Sequence, residues 1–174
     1  MITTIRPAAE ADAATILGLI GELADYEQLA HEVTATEEDL RASLFGVHPD
    51  AEVLIAESDG DVAGYALFFH NYSTFHCKRG LYLEDLFVRP PFRGRGIGKL
   101  LLSHLAKLAV QRGCARFEWS VLDWNESAIR FYRQLGAVPM DDWTAFRVTG
   151  RPLENLAGSP AGQVPRVRDT TDST

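Results

Sequence analysis

Cysteine is scarce in this 174-residue chain, which contains only Cys77 and Cys114 and no closely spaced pair. This composition argues against a disulfide framework and favours a reducing compartment. No apolar run approaches the roughly 18–20 residues that a membrane span needs, and the N-terminus lacks the charged-then-apolar order of a signal peptide. We therefore expect a cytoplasmic protein without a membrane partner. The five histidines are scattered without the spacing of metal ligands, so the sequence predicts no metal site.

Positive charge is also in deficit, since the formal net charge is -7. This balance argues against a general nucleic-acid binder. The charge is unevenly placed: residues 1–61 hold 14 acidic and two basic residues, whereas residues 62–174 hold 10 acidic and 15 basic residues. One interpretation is ordinary variation of surface charge. The other is that the basic part binds an anionic cofactor while the acidic part attracts a cationic substrate.

Hydrophobic periodicity predicts a mixed α+β domain without the regular alternation of a Rossmann fold. A first strand at Thr3–Pro7 precedes a helix over Glu10–Leu29, and Thr36–Asp39 is a capping box that opens a second helix. Asp59-Gly60 indicates a hairpin turn. The remaining expected elements are strands at Val53–Ala56, Val62–His70, Leu81–Val88, Phe117–Leu122 and Trp143–Val148, and helices at Lys99–Gln111 and from Asn125 to about Leu135.

The composition changes near Asn155, where Gly, Pro, Ser, Thr and Asp come to dominate and apolar residues become sparse. A segment of this kind cannot bury enough apolar surface to offset the entropy of ordering. The sequence therefore predicts one folded domain over residues 1–154 and a disordered C-terminal tail over residues 155–174.

The most informative segment runs from Val88 to Lys99, where a strand is followed by a glycine-rich turn and then a helix. Glycines allow consecutive N–H groups to converge on a phosphate, and the helix N-terminus adds further donors. The phosphate-binding loop of nucleotide hydrolases is excluded because Leu100 follows Gly98-Lys99 and Arg93 stands where its first glycine is needed. The dinucleotide motif G-x-G-x-x-G fails as well. The pattern that matches is Arg-x-x-Gly-x-Gly, at Arg93, Gly96 and Gly98.

That spacing, together with Asn125, Phe131-Tyr132 and Gly136, resembles the coenzyme A segments of the GNAT acetyltransferases, over Ile5 to about Arg151. The resemblance implies a twisted, mostly antiparallel sheet with flanking helices and a V-shaped splay between central strands, with acetyl-CoA as co-substrate. It implies that the following residues contact the cofactor, the first three through backbone groups: Leu86, Phe87, Val88, Arg93, Gly94, Arg95, Gly96, Ile97, Gly98, Lys99, Asn125 and Ala128. Asn125 has an equally good alternative role as a helix N-cap.

Four further segments are similar to the diamine/polyamine subgroup, which includes the spermidine/spermine and thialysine N-acetyltransferases. These segments are Ala24–Glu27, Gly46–Pro49, Tyr82–Val88 and Asp123–Glu126. The resemblance implies a homodimer, a small-molecule amine substrate, and substrate contacts from Tyr26 and Glu27. A solvated helix end is the alternative for these two residues. The segment Ser73–Lys78 departs from the spermidine/spermine enzymes because it is basic and lacks their acidic residue and tryptophan.

Two side chains are candidates for catalysis. Tyr132 matches the catalytic tyrosine of the family, and its phenol can give a proton to the departing thiolate; a half-buried aromatic role is the alternative. Glu84 is the candidate base, acting through water; a hydrogen-bonded or salt-bridged acid of the strand is the alternative. Strict alternation places Leu81, Leu83, Asp85 and Phe87 on one face of the strand and Tyr82, Glu84, Leu86 and Val88 on the other. Burial near the sheet centre is expected to raise the pKa of Glu84, and for Asp85 we expect a structural role.

These observations predict an N-acetyltransferase that transfers the acetyl group of acetyl-CoA to a primary amine, such as a diamine, a polyamine or a lysine-like amine. An amino-acid or protein N-terminal acetyltransferase is one alternative. A coenzyme A-binding sensor without turnover is another, although such a protein needs neither Tyr132 nor Glu84.

Overall fold

The computed structural model describes residues 2–158. Two compact units follow each other along the chain, with the boundary between Asn125 and Glu126. The first unit contains a five-stranded sheet and three α-helices, so the predicted α+β class is confirmed. Its elements are β1 (Thr3–Pro7), α1 (Ala13–Glu27), α2 (Glu37–Phe45), β2 (Glu52–Ser58), β3 (Asp61–Ser73), β4 (Lys78–Val88), α3 (Ile97–Gln111) and β5 (Phe117–Trp119).

The sheet has the strand order β1-β2-β3-β4-β5. The first three pairings are antiparallel, and β4 pairs with β5 in parallel. The parallel ladder is short: it begins at Leu81 with Phe117 and ends at Leu83 with Trp119. Glu84–Val88 therefore have no β5 partner in the part of the chain that the structure describes, and the strand predicted over Phe117–Leu122 ends at Trp119.

One face of the sheet packs against α1 and α2. Helix α1 supplies Ile16 and Leu19 from its apolar stripe, and α2 supplies Leu40 and Leu44. The sheet residues in the same cluster are Val53, Ile55, Tyr65 and Phe87. Burying these large side chains gives the hydrophobic free energy that fixes both helices on this face.

The opposite face packs against α3, which buries five residues along one side: Ile97, Leu101, Leu102, Leu105 and Ala109. At the C-terminal end of α3, the guanidinium of Arg112 lies 5.9 Å from the ring centroid of Phe68. Phe68 therefore faces α3, whereas its neighbours Leu67 and Tyr65 belong to the core on the other face.

Several predicted starts and turns are confirmed by hydrogen bonds and dihedral angles. The hydroxyl oxygen of Thr36 accepts from the backbone N–H of Asp39, and the Asp39 carboxylate accepts from the backbone N–H of Thr36, which is the predicted capping box. Asp59 and Gly60 have φ values of 53° and 95°, as a tight hairpin turn requires. Local polar signals of this kind act over three or four residues, so the sequence alone shows them.

The second unit contains α4 (Glu126–Gln134) and α5 (Gly150–Gly158). Helix α4 ends close to the predicted Leu135: Gly136 follows with a φ of 89°, and the N–H of Ala137 donates to the carbonyl of Tyr132. The predicted strand Trp143–Val148 is wrong, because these residues form an irregular segment. Aromatic and branched residues favour a strand only where another strand offers a ladder, and no ladder in residues 2–158 reaches this segment.

The end of the described chain is helical. Helix α5 extends from Gly150 to Gly158 and so crosses the predicted domain boundary at residue 154. The predicted tail continues to residue 174, and residues 159–174 lie outside the described residues. The helices of residues 2–158 include none that combines the length and the apolar character of a membrane span.

Candidate active site

A β-bulge in β4 shapes the site. Leu83 pairs with Phe68 and Asp85 pairs with Leu67, so Glu84 has no cross-strand partner in β3. The inserted residue shifts the alternation by one position. Leu83 therefore lies on the α3 face with Phe68, whereas Asp85 lies on the α1/α2 face with Leu67. The predicted common face for Leu81, Leu83, Asp85 and Phe87 is wrong, because strict alternation does not continue through a bulge.

Asp85 is a half-buried acid that accepts a hydrogen bond from a neighbouring strand. The phenol of Tyr65, which is fully buried, donates a 2.9 Å hydrogen bond to the Asp85 carboxylate. Burial raises the pKa of Asp85, the Tyr65 hydrogen bond lowers it, and the charge of Glu84 raises it further, with a net increase. Burial and the charge of Asp85 also raise the pKa of the Tyr65 phenol above its ordinary value.

Glu84 is exposed, contrary to the burial expected from its place in an apolar strand. The bulge explains the difference, because it takes Glu84 out of the β3 ladder at the position where β5 also leaves β4. The two acids thus have different environments: Asp85 accepts a hydrogen bond from the Tyr65 hydroxyl, and the Glu84 side chain is exposed.

The end of α1 adds a third acid. Glu27 is half-buried in the last turn of α1, and burial followed by the charge of Asp85 raises its pKa. Tyr26, the preceding residue, is 38% exposed, and its ring lies 5.9 Å from the ring of Trp124 between centroids. The predicted substrate contacts Tyr26 and Glu27 therefore lie in the same unit as Glu84 and Asp85, beside the bulge.

The predicted phosphate loop has the backbone that its glycines require. After Val88, a 3-10 turn at Pro90–Phe92 leads to Gly94 and Gly96, whose φ values are 74° and 79°. Gly96 is the N-cap of α3 and has no side chain to accept a hydrogen bond from the first turn of the helix. The first N–H groups of a helix have no acceptor within the helix, so this loop presents donors suited to an anion.

The three basic side chains of the loop differ in their contacts. The Arg95 guanidinium lies 5.3 Å from the ring centroid of Phe92, and Lys99 is exposed on the first turn of α3. Arg93 turns back: its Nε donates to the carbonyl of Val88 at 2.8 Å, and its guanidinium lies 4.7 Å from the ring centroid of Tyr26. The loop thus fits a pyrophosphate through backbone N–H groups and two bases, while Arg93 contacts α1.

The predicted site residues Asn125, Ala128 and Tyr132 lie at the start of the second unit or directly before it. The backbone N–H of Asn125 donates to the carbonyl of Leu122, and α4 begins at the following residue, Glu126. Ala128 and Tyr132 are half-buried positions of α4 one helical turn apart. The ring of Tyr132 lies 5.5 Å from that of Phe131 between centroids. These positions agree with both the catalytic and the aromatic-packing interpretation of Tyr132.

Sequence reasoning missed the partner of Asp85 and the ties between α1 and the loop. Tyr65 stands on a different strand, and only the β3–β4 register brings it to Asp85. Arg89 holds Glu22 of α1 with contacts of 2.6–3.1 Å. The available signal was weak: Arg89 and Arg93 are four residues apart, and Glu22 and Tyr26 share that spacing, which places them on one face of α1.

The first unit thus contains the end of β4 that has no β5 partner among the described residues, the predicted phosphate loop, and the acids Glu27, Glu84 and Asp85, which we call the acidic cluster. Residues 20–137 match the acetyltransferase (GNAT) family. The chain belongs to this family and is an acyltransferase enzyme. Proteins of the family use acetyl-CoA as co-substrate.

Its similar relatives include two enzymes with named amine substrates. The chain is 41% identical to thialysine N-epsilon-acetyltransferase of Mus musculus, covering 90% of this chain and 98% of that protein. It is 35% identical to an L-ornithine N5-acetyltransferase of Arabidopsis thaliana, covering 90% of this chain and 88% of that protein. Among solved structures, an integron cassette protein from the mobile metagenome of V. cholerae has a TM-score of 0.78 and 29% identity, covering 91% of this chain and 99% of that one.

Proposed function

We propose that the enzyme acetylates a primary amine of a small molecule that carries a second polar group, of the diamine, polyamine or lysine-like class. The observation that carries this proposal is the electrostatic coupling of Asp85 to Glu27, at the end of α1, and to Glu84, at the bulge of β4. Carboxyl groups that are coupled in this way attract an alkyl ammonium and disfavour an anionic acceptor. The names of the thialysine and ornithine relatives support a lysine-like amine.

Coenzyme A is proposed to bind along two features of the first unit. The stretch Glu84–Val88 has no β5 partner among the described residues, so backbone groups of Leu86, Phe87 and Val88 can meet the amide groups of the pantetheine arm. The pyrophosphate is then held by the N–H groups of Gly94–Lys99 and by the charges of Arg95 and Lys99. Asn125 and Ala128 are proposed as further contacts. The thioester of acetyl-CoA supplies the acetyl group, and the coenzyme A thiolate is a good leaving group.

Glu84 is proposed as the base, acting through water. An alkyl amine whose ammonium form has a pKa near 10.4 is almost entirely protonated at neutral pH, and the ammonium has no free electron pair. The acceptor must therefore lose a proton before it attacks the thioester carbonyl. The exposed position of Glu84 supports a water-mediated route, since the carboxylate can take the proton and return it to solvent. Holding the amine and the thioester together supplies a large part of the rate enhancement.

Tyr132 is proposed as the acid that protonates the departing thiolate. The Tyr132 phenol can donate a proton, and its half-buried position in α4 limits competition from water as the proton donor. Phe131, the neighbouring ring, has no group that can serve in its place. The proposal rests on the match to the family tyrosine and on this placement.

A homodimer is the proposed assembly. The second unit has large apolar side chains that are unusually exposed, among them Val138 at 78%, Trp143 at 73% and Phe146 at 93%. Exposed apolar side chains of this size support contact with a second protein surface. A monomeric mass by light scattering at micromolar concentration would contradict this assembly. The cytoplasmic location stays a prediction.

The experiment that tests the function is release of free thiol from acetyl-CoA with a panel of acceptors. The panel contains spermidine, spermine, putrescine, thialysine, lysine, ornithine, an aminoglycoside and a short peptide. Turnover that is confined to small amines supports the proposal. Turnover on the peptide alone would contradict it and favour a protein acetyltransferase, and coenzyme A binding without turnover on any acceptor would favour a sensor.

A further inference from the structure

Arg93 makes contacts within the protein that phosphate binding does not require. Its Nε donates to the carbonyl of Val88 at 2.8 Å, and its guanidinium carbon lies 4.7 Å from the ring centroid of Tyr26 and 5.6 Å from that of Phe87. Both distances are within the range of a cation–π interaction. The guanidinium is therefore directed toward α1 and the end of β4, whereas the Arg95 guanidinium lies over the Phe92 ring within the loop.

A second arginine ties the same two elements together. Arg89, four residues earlier, contacts Glu22 through two nitrogens at 2.6–3.1 Å and donates to the carbonyl of Val62 at 2.9 Å. Glu22 lies one helical turn before Tyr26 on the same face of α1. The segment that follows β4 thus holds the last two turns of α1 at two points, one through an ion pair and one through an aromatic ring.

The contact between Arg93 and Tyr26 lies beside the acidic cluster. Tyr26 and Glu27 occupy the last turn of α1, and the helix ends at Gln28, which has a left-handed φ of 62°. The charge of Asp85 acts on Glu27, so this turn is next to the bulge of β4. Tyr26 directly precedes Glu27, so a contact that holds Tyr26 also restrains the backbone that carries Glu27, beside which we place the acceptor.

We propose that Arg93 is a positioning residue for the amine acceptor: its side chain orients Tyr26 beside the acidic cluster and does not bind the coenzyme A phosphates. The loop backbone, Arg95 and Lys99 hold the pyrophosphate, and Arg93 links that loop to the acceptor side of the site. The inference rests on the proposed function in one respect, namely that the acceptor is an amine at the acidic cluster.

The first test asks whether Arg93 binds phosphate and needs no acceptor. Coenzyme A is titrated by calorimetry into the full chain and into the variants Arg93→Gln and Arg95→Gln, which lose the same charge from the same loop. We expect the Arg95 variant to bind at least about five-fold more weakly, as a lost charge-assisted phosphate contact predicts. The Arg93 variant should bind within about two-fold of the parent. An equal loss in both variants would overturn the proposal.

The second test is a double-mutant cycle between Arg93 and Tyr26, read from the KM of the amine. Arg93→Gln and Tyr26→Leu should each raise this KM about five-fold, the effect of losing about 1 kcal/mol of cation–π energy. The double variant should be no worse than either single variant, because both remove the same interaction. Tyr26→Phe keeps the aromatic ring, so its amine KM should stay close to that of the parent. Additive effects of the two single variants would overturn the proposal.

Arg89→Lys is the matched control for a merely structural role. It weakens the other tie between the same two elements one helical turn away, so it lowers the free energy of unfolding while leaving the coupling between Arg93 and Tyr26 in place. An amine KM raised equally by Arg89→Lys and Arg93→Gln would mean that loosening α1 suffices, and would contradict the positioning role. If no amine is acetylated, the proposed function fails, and the coenzyme A titration still decides whether Arg93 binds phosphate.

Discussion

The phenol of Tyr65 donates a 2.9 Å hydrogen bond to the carboxylate of Asp85, across two strands that are out of simple register. Without the bulge at Glu84, Asp85 would lie on the α3 face and could not reach Tyr65. The bulge therefore places a half-buried acid on the α1/α2 face and leaves its neighbour Glu84 exposed. One inserted residue separates a carboxyl group that is hydrogen-bonded within the sheet from one that is exposed.

The raised pKa of Asp85 predicts a specific dependence of stability on pH. The folded state holds the proton of Asp85 more tightly than the unfolded state does, so ionisation of this group makes the free energy of unfolding fall as the pH rises above 3.8. The loss levels off above the pKa that Asp85 has in the folded chain. In Asp85→Asn this loss is absent, so the variant should gain stability relative to the parent as the pH rises through that window.

Urea unfolding at a series of pH values measures this difference. Tyr65→Phe should act in the opposite direction to Asp85→Asn, because the Tyr65 hydrogen bond lowers the pKa of Asp85 and its loss leaves a half-buried carboxylate without that donor. Parallel pH curves for the parent and Asp85→Asn would contradict the argument.

The sequence alone predicts those parts of the fold that depend on neighbouring residues. The capping box at Thr36–Asp39, the turn at Asp59-Gly60 and the loop from Gly94 to Gly98 all work over a few positions, and each is where it was expected. The end of α4 at Gly136 belongs to the same group. Such signals fix the elements of the first unit and the place of the phosphate loop.

The rest depends on pairing between distant residues. Strict alternation predicts one face for Leu83 and Asp85, and only the register of β4 against β3 shows that the two lie on opposite faces. The segment Trp143–Val148 has strand-forming residues but no strand partner in residues 2–158, so its composition misleads. The contact between the Arg93 guanidinium and the Tyr26 ring likewise cannot be predicted from the motif, because the motif specifies only the spacing of its residues.

Glu84→Gln tests the proposed base. The amide keeps the size of the side chain but cannot accept the proton of the ammonium, so kcat should fall about 100-fold, the usual contribution of general-base catalysis. The affinity for coenzyme A, measured by calorimetry, should stay within two-fold of the parent, because the change does not touch the phosphate loop. A kcat that is unchanged at saturating amine would remove Glu84 from the chemistry.

Tyr132→Phe tests the proposed acid. Phenylalanine keeps the ring and its packing next to Phe131, so folding and coenzyme A binding should persist while kcat falls about 100-fold through loss of the proton donor. Tyr72→Phe makes the same chemical change at an exposed tyrosine of β3 and should leave kcat unaltered. Equal kcat values in the Tyr132 variant and the parent would favour the aromatic-packing interpretation.

Gly96→Ala separates the strain of the phosphate loop from its role in binding. Gly96 caps α3 with a φ of 79°, and Gly113 follows the same helix with a φ of 66°. Alanine at either position meets no atom within 4 Å of its Cβ but must adopt a left-handed backbone, at a cost of about 1–2 kcal/mol. Both variants should therefore lose similar free energy of unfolding in urea. Only Gly96→Ala should also weaken coenzyme A binding by calorimetry, because relaxation of its backbone turns the first N–H groups of α3 away from the phosphate. Equal affinity in the two variants would show that the helix N-terminus does not hold the pyrophosphate.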